Sequence, residues 1–163
     1  MPLVMNGQAN MAIMLEPGAS TLVVKGGKKV IQDYPVAIGP MLFSSLQVSN
    51  ETIKRDPATV QKFVTALTRA YRAASSNPAD VVAVAAKWFP DADPQIIKAA
   101  IDKFIQSKSF GSDALFTKAA YEKNLYYFSL GFPGHPALAV KWEDIADTTF
   151  AQKAASAPVA TAK

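Results

Sequence analysis

The sequence predicts a helix-rich α/β protein, and two features of its 163 residues support this class. Of the 28 alanines, 24 follow Pro57, and alanine has the highest helix propensity of the amino acids. Short apolar runs bounded by glycine and proline occupy the residues before Pro57, as is typical of buried strands. We therefore expect strands in the first third of the chain and helices in the remainder.

Four strand-like runs lie in that first third. The strongest is Met41–Val48, which follows Gly39-Pro40 and whose even-numbered residues would share one face. The short run Asn10–Leu15 also fits a buried strand, and a helix fragment stays open as the alternative. The two remaining candidates are Leu22–Val24 and Val30–Ile31.

Three helix starts are marked by an Asp or Asn directly before a proline, at Asp56, Asn77 and Asp93. The polar side chain can cap the helix, and the proline suits the first helical position. Apolar residues spaced three and four apart follow each start, and we assign these stripes to the core. The three stripes are Val60, Phe63, Val64, Leu67, Ala70 and Tyr71; Val81, Val82, Ala85, Trp88 and Phe89; and Ile96, Ile97, Ala100, Ile101, Phe104 and Ile105.

Two further helices are expected near the C-terminus. One starts near Thr117 and ends at a Gly131 C-cap, and the other begins near Trp142 and includes Phe150. Residues 156–163 are rich in Ala, Pro and Thr, and we expect them to form a disordered tail.

The composition argues against most common enzyme chemistries. The chain has no cysteine, which excludes disulfides, thiol catalysis and cysteine-ligated metals. Its one histidine, His135, lies in a turn-rich loop, where we expect it to be solvated or to act as a cap. No carboxylate stands at helical spacing to orient it as a base. We therefore expect no enzyme activity, no metal and no cofactor.

The charge balance is mildly basic, with a net charge of +4 and an isoelectric point near 9.3. The densest cluster, residues 25–29, contains three lysines and is typical of a surface turn, being too short for a nucleic-acid footprint. The apolar runs are shorter than the roughly 20 residues that span a membrane. We expect neither nucleic-acid binding nor a membrane-spanning segment.

Glu16 ends an apolar run and directly precedes Pro17. Because ligands of α/β proteins lie outside strand ends, its carboxylate could accept hydrogen bonds from a ligand. It could equally cap a helix suggested by residues 18–21. Both roles stay open on the residues alone.

The stretch Gly7–Pro17 resembles the pattern GQ-x-D-A-A-x-x-x-E-P of substrate-binding proteins of ABC importers. The similar branch is the nitrate/sulfonate/taurine and thiamine-precursor one, also called NMT1/THI5-like. Asn10 replaces the Asp of that pattern and Leu15 replaces a frequent aromatic residue, so no stacking role is carried over to position 15. The resemblance covers residues 5–155 and continues through Met41–Val48, Pro57, Val60, Lys62, Phe63, Ala66, Asn77-Pro78 and Trp142–Asp147.

The resemblance implies a type II periplasmic-binding-protein fold, in which two α/β lobes are joined by crossing strands around a ligand cleft. This chain is similar to the C-terminal half of such a protein only. Residues 1–35 would end the second lobe, and residues 36–155 would supply the returning crossing strand and the C-terminal helices of the first lobe. We expect a truncated form or one half of a complex, whose exposed apolar faces meet a missing N-terminal half or a partner chain.

The function implied by the resemblance is that of a solute-binding component of an ABC importer, periplasmic or lipid-anchored, which delivers its ligand to a permease. The ligand would be a small polar molecule such as nitrate, a sulfonate, taurine or a pyrimidine precursor. The net charge favours an anion, whereas a carboxylate at Glu16 favours a cation or a hydrogen-bond donor, so the two cues conflict. No signal peptide is recognised in the first 15 residues, which lack a basic start. The residues expected to contact the ligand are Glu16, Pro17, Gly39, Pro40 and Met41.

Two alternatives belong to other classes. One is a helical protein-interaction module that docks a partner and binds no small molecule. The other is a pyrimidine-synthase-like enzyme, since thiamine-precursor relatives include such enzymes. The chemistry that this resemblance implies needs several histidines and a cofactor site, which His135 alone does not supply.

Overall fold

The computed structural model describes residues 1–39, 41–42, 44–109, 111 and 113–157. All regular secondary structure in these residues is helical, so the helix-rich character is confirmed, whereas the strands of the predicted α/β class are absent from this part of the chain. The helices are α1 (Pro2–Met5), α2 (Gly18–Gly26), α3 (Tyr34–Ile38), α4 (Asn50–Arg55), α5 (Pro57–Ser76), α6 (Pro78–Trp88), α7 (Pro94–Gln106), α8 (Lys118–Gly131), a 3-10 helix (Pro136–Ala139), α9 (Trp142–Ile145) and α10 (Thr149–Ala155).

The chain forms two compact units, each built from two separate segments. The first unit comprises Met1–Ala37 and Ala74–Phe110, and the second comprises Ile38–Ala73 and Gly111–Lys163. Each unit therefore depends on residues that are far apart in the sequence. The assignment of residues 1–35 and 36–155 to the lobes of a larger protein stays a prediction.

The core of the first unit is centred on α7, which packs against α2 and α6. Asp93 caps its start, because Asp93 Oδ1 accepts a hydrogen bond from the Gln95 N–H at 2.9 Å. Lys103 of α7 also holds the segment before α3, since its Nζ lies 2.7 Å from Asp33 Oδ2 in an ion pair without hydrogen-bond geometry. The predicted core stripe of α7 is confirmed at its four buried positions, Ile96, Ile97, Ala100 and Ile101.

The core of the second unit lies between α5 and α10. Thr68 is its most buried side chain, and its hydroxyl donates a hydrogen bond to the Val64 carbonyl at 2.9 Å. Gln61 links the two helices, because its Nε2 donates to the Phe150 carbonyl at 3.0 Å. The buried cluster consists of Val60, Val64, Ala151 and Ala154, against which Val48, Ile53, Ala114 and Phe150 pack.

Four residues of the predicted core stripes are exposed rather than buried: Phe63, Ala70, Trp88 and Phe89. Phe63 is 55% exposed, because the buried face of α5 runs through residues 60, 64 and 68, and position 63 lies about 100° from its centre. Trp88 and Phe89 are 78% and 63% exposed, since they lie at and beyond the end of α6. The half-buried residues of α6 lie nearer its start, at Val81, Val82 and Ala85.

The four predicted strands are also corrected by the structure. Leu22–Val24 lies inside α2, near whose start the Glu16 carboxylate accepts a hydrogen bond from the Ser20 N–H. Asn10–Leu15 and Val30–Ile31 are irregular, as are the described residues of Met41–Val48; Phe43 lies outside them. The helix-fragment alternative for Asn10–Leu15 is wrong as well. A strand requires a ladder of backbone hydrogen bonds to a neighbouring strand. Among the described residues the irregular segments make only two isolated backbone hydrogen bonds, from the Leu42 N–H to the Ala120 carbonyl and from the Ala19 N–H to the Leu15 carbonyl.

The C-terminal helices follow the prediction with one change. Thr117 caps α8 by accepting a hydrogen bond from the Ala120 N–H at 3.1 Å, and α8 ends at Gly131, with Phe132 at the C-cap position. The single last helix is divided into α9 and α10, because Asp147 Oδ1 accepts from the Thr149 N–H and starts a new helix. Of the predicted disordered tail 156–163, residues 158–163 lie outside the described residues.

Replacing Val64 by Ala should lower the free energy of unfolding by about 1–3 kcal/mol, because the change removes buried methyl groups and leaves a cavity against α10. Urea denaturation followed by circular dichroism would measure the loss. Phe63→Ala is the matched control: it removes a larger side chain from an exposed position and should cost less than about 1 kcal/mol. Equal losses for the two variants would contradict this assignment of the core.

The Asp56 carboxylate makes the stability of the start of α5 depend on pH. Hydrogen bonds from the side chain and backbone N–H of Thr59 lower the pKa of Asp56. Since the folded state favours the carboxylate, this contribution is present above the ordinary Asp pKa near 4 and is lost as the pH falls through the folded-state pKa. The urea midpoint should fall more between about pH 6 and pH 3 in the wild type than in Asp56→Asn. An identical fall would refute a role for this carboxylate.

Candidate functional site

Glu16 is held at the start of α2 by the helix that follows it. Glu16 Oε2 accepts a hydrogen bond from the Ser20 N–H at 3.0 Å, and the Thr21 hydroxyl donates to the Pro17 carbonyl at 2.9 Å. Ser20 is buried and Glu16 is half-buried, whereas Pro17 is exposed. The helix-capping role of Glu16 is therefore present. An ionised carboxylate has about four acceptor sites, so capping leaves others for a ligand.

The segment around Gly39 is tied to α8. Lys123 Nζ donates a hydrogen bond to the Ile38 carbonyl at 2.8 Å. Gly39 has a φ of 71°, in the left-handed region that favours glycine, and Met41 is half-buried beside it. A Cβ added at Gly39 would lie 3.5 Å from Lys123 Nζ. Pro40, the remaining predicted contact, lies outside the described residues.

The predicted ligand residues that the structure describes form two pairs, one in each compact unit. Glu16 and Pro17 belong to the first unit, whereas Gly39 and Met41 belong to the second. Only the first pair contains a polar side chain, the Glu16 carboxylate. A single site formed by both pairs stays a prediction.

A concavity of about 500 Å³ on α5 was not predicted from the sequence. Its two neutral polar residues are hydrogen-bonded to each other: Gln61 Nε2 donates to Thr65 Oγ1, and the Thr65 hydroxyl donates to the Gln61 carbonyl. Lys62 and Arg69 are exposed and form no ion pair with any described carboxylate. This arrangement offers positive charge to an anion. The lining residues are Gln61, Lys62, Thr65, Ala66 and Arg69.

His135 acts as a cap, which was one of its two predicted roles. Its Nδ1 accepts a hydrogen bond from the Ala137 N–H at 3.1 Å at the start of the 3-10 helix. Its ring meets Phe128 edge-on at a centroid distance of 5.2 Å. Nowhere in the described part of the chain do three or more His, Asp or Glu side chains gather closely enough to hold a metal ion.

Comparison with known proteins finds a family that matches part of this chain. Residues 1–81 match the family model described as NMT1/THI5 like. The first 81 residues, just under half of the chain, are thus similar to the NMT1/THI5-like family. The matched stretch includes Glu16, Pro17 and residues 39–41, all five of the positions predicted to contact a ligand.

One curated relative from Bacillus subtilis (strain 168) carries the name "Putative binding protein YtlA" and is 23% identical over 118 residues. The alignment takes in 72% of this chain and 35% of the relative, so the matched region is about a third of the relative's length. No solved structure matches the chain. None of the described helices is both long and apolar enough to cross a bilayer.

Replacing Glu16 by Ala should lower the free energy of unfolding by about 1 kcal/mol, because the Ser20 N–H loses its acceptor at the start of α2. Glu16→Gln keeps an amide oxygen in place and should lose less. Urea denaturation compares the two variants. Glu51→Ala, at an exposed carboxylate paired only with Arg55 across one helical turn, is the control and should cost under about 0.5 kcal/mol.

Proposed function

We propose that this NMT1/THI5-like chain is the C-terminal portion of a solute-binding component of an ABC importer. The single observation that carries the proposal is that the family match covers every predicted ligand residue. In this proposal the complete protein captures a small polar molecule in a cleft between two lobes. It works outside the cytoplasmic membrane, in the periplasm or on a lipid anchor, and passes the molecule to a permease.

Glu16 would orient the ligand. Its carboxylate is already fixed by the Ser20 N–H, so little side-chain entropy is lost when a ligand donates to a remaining acceptor site. The Gly39–Met41 segment would line the cleft and absorb its closure. It follows directly after the chain passes from the first unit to the second, and the left-handed backbone of Gly39 suits a hinge position.

The ligand that best reconciles the charges is a zwitterion. The net charge of +4 attracts an anionic group, whereas Glu16 attracts an ammonium group. Taurine carries both, with a sulfonate at one end and an ammonium at the other. Nitrate satisfies the first preference only, and a neutral pyrimidine precursor would use Glu16 as a hydrogen-bond acceptor.

In a complete two-lobed form, Glu16→Ala and Met41→Ala should each weaken ligand binding. Loss of a charged hydrogen bond at Glu16 should raise the dissociation constant for taurine by at least roughly tenfold. Isothermal titration calorimetry with taurine, nitrate and a pyrimidine precursor would measure it. Glu51→Ala should bind as the wild type does. Unchanged affinity in both Glu16→Ala and Met41→Ala would show that the ligand-site assignment is wrong.

A helical interaction module is the second candidate, and the exposed aromatic residues favour it. Trp88, Phe89 and Phe132 are each more than half exposed. Such residues are enriched at protein interfaces. A folded monomer that binds none of the three solutes but binds a defined protein through these side chains would favour this candidate.

A further inference from the structure

Lys123 of α8 holds the short segment that follows α3. Its Nζ donates a hydrogen bond to the Ile38 carbonyl at 2.8 Å. Three residues earlier on α8, the Ala120 carbonyl accepts a hydrogen bond from the Leu42 N–H at 3.4 Å. Both ends of the segment are therefore bound to neighbouring turns of α8, within the second unit.

The Lys123 ammonium group has no counter-ion among the described residues, since it forms no ion pair with any described carboxylate. Its neighbour Glu122 is exposed, and adjacent side chains of a helix point about 100° apart. An ammonium group has three donor hydrogens, of which the Ile38 carbonyl takes one. Because Lys123 is half-buried, its charge is screened less than the charge of an exposed lysine.

Gly39 leaves the ammonium group uncovered on the side of this segment. A Cβ at this position would lie 3.5 Å from Lys123 Nζ, so any other residue would place a side chain against the charge. The Met41 N–H, two residues further along, donates to no described acceptor. The second unit thus combines a positioned cation with an unoccupied backbone donor, and both of these groups form strong hydrogen bonds to oxyanions.

We propose that Lys123 binds the anionic group of the ligand, a carboxylate or a sulfonate, beside Gly39 and Met41. A lysine ammonium is a compact point charge without the planar fork of arginine, so it accepts either oxyanion. As part of the ligand site, this inference rests on the proposed function. Binding of an oxyanion at Lys123 itself can be measured independently of that function.

Other basic residues of the second unit lack this combination of features. Lys118 is paired with Glu143 at 2.6 Å, and Arg72 donates hydrogen bonds to carbonyls at the end of α10. Lys54 of α4 is exposed. The net charge of +4 acts on a ligand only at long range and is screened beyond about 8 Å at physiological salt. Lys123 instead offers a charge at contact distance.

Titration with sodium methanesulfonate and with sodium acetate tests the site, and sodium chloride at equal ionic strength is the reference. In nuclear magnetic resonance spectra of the chain, either oxyanion should cause saturable shifts of the Gly39 and Met41 amide signals. Sulfonate and carboxylate are supplied separately, so the two titrations also show whether the site prefers one of them.

A charge-removing variant isolates the contribution of the lysine. Lys123→Gln keeps an N–H donor for the Ile38 carbonyl but removes the charge, and should weaken the binding of both anions by at least roughly tenfold. Lys123→Arg keeps the charge and should retain most of the binding. Lys54→Gln is the matched control, since it removes the same charge from an exposed position of the same unit, and it should bind as the wild type does.

Gly39→Ala provides a second variant that leaves the lysine in place. Its methyl group would lie 3.5 Å from Lys123 Nζ and should weaken anion binding although the charge is unchanged. The amide signals of α5 and α10 report whether each variant keeps the core of the second unit.

Three results would overturn the inference: no saturable shift at Gly39 and Met41 in the wild type, wild-type affinity in Lys123→Gln, and an equal loss in Lys54→Gln. In a complete two-lobed form, Lys123→Gln should raise the dissociation constant for taurine by at least roughly tenfold. Unchanged taurine binding in this variant would refute the role of Lys123 and leave the proposed function standing. If the chain binds methanesulfonate at Lys123 but the complete form binds none of the solutes, the anion site stands and the proposed function is wrong.

Discussion

Backbone hydrogen bonding is the constraint on which the rest of this structure depends. A helix pairs its N–H and C=O groups within one segment, whereas a strand needs a neighbour. Helices α5 and α7 therefore form and bury their apolar stripes within their own units. Residues 10–14 and 44–48 have apolar or strand-like sequences, form no helix, and make no backbone hydrogen bond with any described residue. The described part of the chain thus combines closed helical cores with irregular segments.

The difference between local and distant interactions also decides what the sequence can predict. The helices after Asp56, Asn77 and Asp93 all begin at the expected proline, since proline and the capping residue act on adjacent backbone. Asn77 forms no capping hydrogen bond, so proline geometry suffices there. Burial at Phe63 and Trp88 is mispredicted, because burial depends on which helix covers a face. Sheet formation is mispredicted for the same reason.

In the candidate site, too, the local contacts could be predicted from the sequence and the distant ones could not. The capping by Glu16 spans four residues and follows from the sequence around Pro17. The bond from Lys123 to the Ile38 carbonyl joins residues 85 positions apart, and no local pattern marks that lysine. The α5 concavity is equally hidden, since Lys62 and Arg69 resemble the solvated face of any amphipathic helix. The family match covers both pairs of predicted ligand residues.

Because the first unit consists of two separate segments of the chain, the helices that pack together in it are synthesised at different times. Helix α2 leaves the ribosome well before α7, against which it packs, and about 70 residues separate the two. At 5–20 residues per second, the apolar face of α2 waits roughly 4–14 s for its partner. The whole of α5 is made in that interval. The nascent chain is therefore an expected client for chaperones that shield hydrophobic segments, and α7 is the element whose arrival ends that exposure.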